Sequence, residues 1–133
     1  MKVFVTGKAG EEHTAREAMQ LLRQAGHEIT FDWTTIPHLK PYDKNIAESR
    51  QAAILEAKGV LEADIVVLIA HEKGVGMYVE LGMAIAKNKP VYVIGNITPT
   101  MFLFHPIVTR VKNMTEVLRH LKNSLRNLRV HTS

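Results

Sequence analysis

Cysteine is missing from this 133-residue chain. Its absence excludes disulfides, thiolate nucleophiles and thiolate metal sites. Long apolar runs are missing too. None approaches the roughly 20 residues that cross a bilayer, so no membrane partner is expected. Aromatic residues make up only 6% of the chain. None interleave with basic residues as a base-stacking nucleic-acid site requires. The seven histidines show no ligand-like spacing within one helix, so no metal site is expected. The opening, MKVFVTG, enters a strand without the pattern of a secretory leader. The expected compartment is the cytoplasm.

What is present is ordinary for a globular protein: 46% apolar and 23% charged residues. A chain of this length suits one domain, residues 1–133, around one core. Its net charge of +4 is uneven. Residues 107–133 hold Arg110, Lys112, Arg119, Lys122, Arg126 and Arg129 against Glu116 alone, a balance of +5 that leaves −1 for the rest. A basic C-terminal helix can touch nucleic acid or an acidic partner. Without aromatics it reads as a solvated face, and nucleic acid is not an expected partner.

Hydrophobic patterning alternates between strand and helix. Lys2 to Thr6 reads as strand one. Gly7 to Gly10 turns into a helix of about fifteen residues, with Ala15, Ala18, Met19, Leu22 and Ala25 on its buried stripe. Gly26 ends it. Strand two is Glu28 to Trp33. A two-proline loop, 34–42, leads to a helix from about Asp43 to Glu62. Ile46, Ala53, Ile54, Ala57, Val60 and Leu61 form its expected buried side. Strand three is 64–70, helix three about 77–88, strand four 90–94 and a short strand five 108–111. Asn113 and Glu116 make a capping box for the last helix, whose stripe is Met114, Val117, Leu118, Leu121, Leu125 and Leu128. The tail from Val130 is expected to fray. This alternation predicts a doubly wound α/β fold, a five-stranded parallel sheet of flavodoxin or Rossmann type in the order 2-1-3-4-5. A phosphorelay receiver of that architecture needs acids after strand one, where Thr6, Gly7 and Lys8 stand.

The richest stretch is Asp64 to Gly82, DIVVLIAHEKGVGMYVELG. An apolar run, Ile65 to Ala70, reads as a buried parallel strand. Gly74 and Gly76 form a turn. Met77, Leu81, Ala84 and Ile85 then recur at helical spacing. Glu80 falls in the first helical turn, beyond the carboxyl end of a strand, where open α/β sheets bind ligands. Partial positive charge there favours an ionised carboxylate. Such a group can attack an electrophilic carbon or take a proton. It is equally an ordinary first-turn acid.

Other candidates converge on the switch point between strands one and three. Gly7, Lys8 and Gly10 form a plausible phosphate cradle, with charge from Lys8, His13 or Arg16. The turn is neither a P-loop nor a complete dinucleotide fingerprint. Trp33 either covers a flat ligand or anchors its loop. Asp32 binds a ribose hydroxyl or its own loop. Asp64 reads as a structural cap. His71 and His105 read as polar loop residues near the crevice. Asn96, Thr98 and Thr100 are candidate hydroxyl or phosphate contacts.

The segment GVGMYVELGMAIAKNKPVYVIG resembles the signature of the nucleoside 2-deoxyribosyltransferase family, which includes 2′-deoxynucleoside 5′-monophosphate N-glycosidases. The likeness extends to strand one with Gly7, to Gly-His-Glu-x-x-x-Asp-Trp around strand two and to Ala-Asp-Ile-Val-Val at strand three. It spans most of residues 2–95. It implies that Glu80 is the catalytic nucleophile, attacking C1′ of a (deoxy)ribosyl group and expelling the base. Glu56, eight residues before Asp64, stands where the family usually has Asp, and would protonate or hold the leaving base. Phe4 stands where some members carry an aromatic hydroxyl that positions the nucleophile. The turn GKAGEEHTAR replaces the arginine- and glycine-rich turn of the monophosphate hydrolases. With Gly7, Lys8, Gly10, Asp32, Trp33, Gly74, Gly76 and Met77, Phe4 completes the expected substrate contacts. No cofactor is implied. A homodimer or larger homo-oligomer is.

The resulting expectation is cleavage or transfer at the N-glycosidic bond of nucleosides or their 5′-monophosphates. The alternatives are a non-catalytic nucleotide sensor of this fold, an NAD-cleaving relative, or an interaction module using the basic helix.

Overall fold

The computed structural model describes residues 1–132, with side chains as far as Asn127. The strands are β1 (Lys2–Thr6), β2 (Glu28–Ile29), β3 (Ile65–Ile69), β4 (Val91–Ile94) and β5 (Val108–Val111). The helices are α1 (Glu12–Gln24), α2 (Ile46–Glu62), α3 (Gly76–Ala86) and α4 (Met114–Thr132). All strand pairings are parallel and the order is β2-β1-β3-β4-β5, as the sequence predicts. β1 and β3 are central and fully flanked. Their runs Val3–Val5 and Val66–Leu68 are wholly buried, which is why they read as continuous apolar stretches. Helices α1 and α4 touch each other, as do α2 and α3.

Local chemistry explains the boundaries. Ala15, Ala18, Met19 and Leu22 recur every three or four residues and bury one face of α1. Gly26 then adopts φ +91°. The His27 amide donates to Leu22 O and the Gly26 amide to Arg23 O, each at 3.0 Å. That pair of bonds is a Schellman cap. Ala25, expected on the buried stripe, is the exposed C-cap. In α4 the Glu116 amide donates to Asn113 Oδ1 at 3.0 Å. The Glu116 carboxylate reaches back to the Lys112 amide at 2.8 Å, one residue before the Asn113 amide of a regular capping box. Val117 and Leu121 are buried in the core, while Leu125 is exposed. The expected Leu128 contact concerns a side chain outside the described residues, and α4 continues to Thr132, past the Val130 at which fraying was expected to begin.

Two expectations about the β2–α2 region need correction. Strand two was expected to reach Trp33, but ladder pairing stops at Ile29. Asp32 redirects the chain by accepting from the Thr34 amide at 3.0 Å, which starts a 3₁₀ turn at Trp33–Thr35. Helix α2 starts at Ile46, after a separate 3₁₀ turn at Tyr42–Lys44. Ile46, Ile54 and Leu61 are exposed rather than buried. The helix meets the sheet only near its C-terminal end. At Gly59 a β-carbon would lie 2.9 Å from Phe4 Cδ2 and from Phe31 Cβ. The N-terminal half stands off, and a groove of about 390 Å³ separates Ala47, Ala52 and Leu55 from Ile36, Pro37 and Leu39.

Candidate active site

Side chains on a strand alternate between faces, so Phe4 and Thr6 share one. Phe4 lies fully buried beneath Gly59 of α2. Thr6, at the carboxyl end of β1, donates its hydroxyl to Glu80 Oε1 on α3 at 2.6 Å. Glu80 is only 6% exposed. It is the fifth residue of α3, whose N-cap is Val75, and not a first-turn residue. The helix terminus therefore contributes little to its charge state, because that effect fades within the first turn.

Burial dominates instead. It pushes the Glu80 carboxyl up to about 8 from an ordinary 4.5, against the lowering effect of the Thr6 hydroxyl and with a further rise from neighbouring Glu56. Glu56, on α2, is also raised, first by burial, while its interaction with Glu80 pulls it down. With both carboxyls ionised, Glu80 Oε2 is buried without a hydrogen-bond partner. A single proton shared with Glu56 supplies one. Buried carboxyls this close cannot both ionise cheaply, so the pair titrates as a unit. The expectation that Glu80 is an ionised helix-end acid is thus replaced by a buried carboxyl raised to about 8 and paired with half-buried Glu56.

A cavity lies at the same end of the sheet, lined by neither Glu80 nor Glu56. Gly7, Lys8, Glu11, Thr14, Ala15, Ile69, Ala70 and His71 line a cavity of about 190 Å³ between the ends of β1 and β3. His71 Nδ1 accepts from the Lys73 amide at 3.0 Å. The neutral ring then carries its proton on Nε2, which faces Glu11 Oε2 at 3.1 Å across the cavity. Among the described residues no cluster of three His, Asp or Glu side chains is placed to hold a metal ion. No described helix is long and apolar enough to cross a membrane.

The sequence model described as nucleoside 2-deoxyribosyltransferase matches residues 3–128. The chain belongs to the nucleoside 2-deoxyribosyltransferase family. The match runs well past the 2–95 region that carried the resemblance, into α4. Two solved structures share the fold. One is a 2-deoxyribosyltransferase from the psychrotolerant bacterium Bacillus psychrosaccharolyticus, with TM-score 0.64 and 18% identity over 89% of this chain and 90% of that one. The other is the CMP N-glycosidase BcmB of Clostridium botulinum, with TM-score 0.58 and 16% identity over 92% and 98%. No curated protein matches the chain.

The remaining candidates divide between the crevice and the scaffold. Gly7 and Lys8 line the cavity. The Gly10 amide is occupied by Glu12 Oε1 at 2.9 Å and the Glu11 amide by Lys8 O at 3.0 Å, so this cradle has few free donors. Arg16 is tied to Thr34. Trp33 is 8% exposed and its Nε1 donates to Val5 O at 2.7 Å, the geometry of a loop anchor. Asp32 accepts from the Thr34 amide and hydroxyl, and so bonds its own loop. Met77 is buried under Gly74, and Gly76 opens α3. Asp64 accepts the Lys2 amide at 2.8 Å, a structural cap. His105 accepts the Ile107 amide within its own loop, and Thr100 caps the turn at Met101–Phe104. Thr6 was not singled out from the sequence. The strand's period of two offered the signal, because it puts Thr6 on Phe4's face at the ligand end of β1.

Proposed function

We propose that this family member cleaves or transfers at the N-glycosidic bond of (deoxy)nucleosides or their 5′-monophosphates through a glycosyl ester on Glu80. The observation that carries the reading is the pairing of the buried Glu80 carboxyl with that of half-buried Glu56, next to the carboxyl end of β1. Retaining glycosidic chemistry needs two carboxyl groups in opposite protonation states. With the shared proton on Glu56, the Glu80 carboxylate attacks C1′ and forms an ester. The C1′–N bond breaks, its electrons leave with the base, and Glu56 donates the proton to that base. Water then attacks C1′, Glu56 takes one water proton, and the ester bond returns its electrons to Glu80. A second base in place of water gives transfer by the same intermediate. The protein is proposed to act in the cytoplasm as a homo-oligomer.

The test is chromatographic base release from a panel of nucleosides, 5′-monophosphates and NAD, with and without a second free base. The expected result is release by the wild type and loss of at least about a thousandfold in Glu80→Ala, the scale of losing a covalent nucleophile. A new nucleoside in the presence of added base marks a transferase. Binding without release from any substrate overturns the enzymatic reading and leaves a nucleotide-binding domain.

A further inference from the structure

We infer that Thr6 is a positioning residue of this site: its hydroxyl fixes the Glu80 carboxyl through Oε1 and eases that carboxyl's ionisation. The inference rests on the glycosidic reading above and adds a third group to it. Thr6 is 1% exposed and ends β1, an interior strand of the sheet. Its hydroxyl reaches Glu80 Oε1 at 2.6 Å, a length typical of a donor to an ionised carboxylate. Phe4, one step back on the same face, has no hydroxyl and lies sealed beneath Gly59. Among the described residues, no other hydrogen bond reaches the Glu80 carboxyl while both carboxyls are ionised.

The consequence concerns which partner holds the proton. Burial raises both carboxyls. Left to burial alone, the proton has little reason to prefer Glu56. A hydroxyl that donates to Glu80 stabilises charge there and not on Glu56. With Thr6 in place the Glu80 carboxyl is still raised to about 8, so the hydroxyl enlarges the reactive fraction in which Glu80 is ionised and Glu56 holds the proton. That is the arrangement in which one residue attacks while the other protonates the leaving base. The same bond, anchored to a central strand, stops the Glu80 side chain from rotating away from its working angle.

The test compares Thr6→Ala with Thr6→Ser, two variants that both lack the γ-methyl and differ only in the hydroxyl. Base release is measured from pH 4 to 10, and the carboxyl titrations of Glu56 and Glu80 are followed by ¹³C NMR without substrate. Loss of a hydrogen bond to a charged group corresponds to a fall of about tenfold to a hundredfold in rate. We expect that fall in kcat for Thr6→Ala, with KM little changed, and a Glu80 midpoint raised by about one pH unit or more. Thr6→Ser should restore most of both. If Ala and Ser behave alike, in rate and in titration, Thr6 only fills space and the inference fails. If the wild type releases no base, the glycosidic reading fails, and the NMR titrations of the two variants still decide whether the hydroxyl controls the proton.

Discussion

Glu80→Gln should make the protein more stable, and increasingly so as the pH rises. Glu80 is held at about 8 in the folded chain against 4.5 as the reference. A carboxyl with a raised folded pKa contributes its full stability below about pH 4.5 and loses it progressively as the pH climbs through about 8. At about 1.36 kcal/mol per pH unit, that gap sets a ceiling of about 5 kcal/mol. Glu56 shares the proton, so part of the effect belongs to the pair, and about 3–5 kcal/mol is the working range. The glutamine stays neutral at every pH and still accepts from Thr6. The two proteins should differ by less than about 1 kcal/mol at pH 5 and by about 3–5 kcal/mol in favour of the variant at pH 9. Urea unfolding reads this directly, with the single buried tryptophan, Trp33, as fluorophore and circular dichroism as the second probe. His27, lowered by burial, titrates in both proteins and cancels in the difference. A flat difference between pH 5 and 9 would refute the reasoning, because it would mean that burial does not hold Glu80 neutral.

Gly59→Ala should lower the urea midpoint by the equivalent of about 1–3 kcal/mol, because overpacking against Phe4 and Phe31 outweighs a helix-propensity gain of at most about 1 kcal/mol. Gly82→Ala, where an added β-carbon meets nothing within 4 Å, should instead stabilise by about 0.5–1 kcal/mol; equal effects at the two glycines would refute the packing argument. Trp33→Phe strands Val5 O and should cost about 1–3 kcal/mol by circular dichroism melts, whereas an unchanged melt would remove Trp33 as the loop anchor. Val79→Glu tests the proposed homo-oligomer. Val79 on α3 and Val75 at its N-cap are exposed, the only acid or base of α3 is the buried Glu80, and a helix apolar on every side is ordinarily covered. Sedimentation should show the variant shifted towards monomer, and a wild type already monomeric at tens of micromolar would defeat the proposal.

The scaffold was legible because its signals are local and repeated. Runs such as Val3–Val5 and Ile65–Leu68 are apolar at every position, which only a strand covered on both faces tolerates. The α1 stripe and Gly26 are equally plain. The region from Phe31 to Ile54 misled the periodicity reading for a physical reason. Asp32 bends the chain by bonding its own loop, and α2 stands off the sheet, so its apolar residues report a groove and an exposed face rather than the core. Glu80 was legible as a candidate from its motif. Its environment was not, because periodicity places Glu80 near a helix start but does not show how deeply the packing of α3 buries it. Thr6 was hidden for a related reason. Nothing in KVFVT marks the hydroxyl until α3 brings Glu80 across the end of β1.

The same burial that costs stability sets the pH range of any glycosidic step. If both carboxyls kept ordinary values near 4.5, both would be ionised at pH 7, and the base would have to leave as an anion without a donor. If each were raised independently, both would be protonated and no nucleophile would remain. A coupled pair avoids both failures, since removing the first proton makes the second harder to remove. The reactive one-proton state then spans the interval between two macroscopic steps. Base release should follow a bell whose alkaline limb falls near pH 8, where the last proton leaves. Glu56→Gln should abolish that limb while leaving the acidic one, because the amide cannot give up a proton at any pH in the range. An alkaline limb that persists in Glu56→Gln would assign the second proton elsewhere, and the paired-carboxyl mechanism would fall with it.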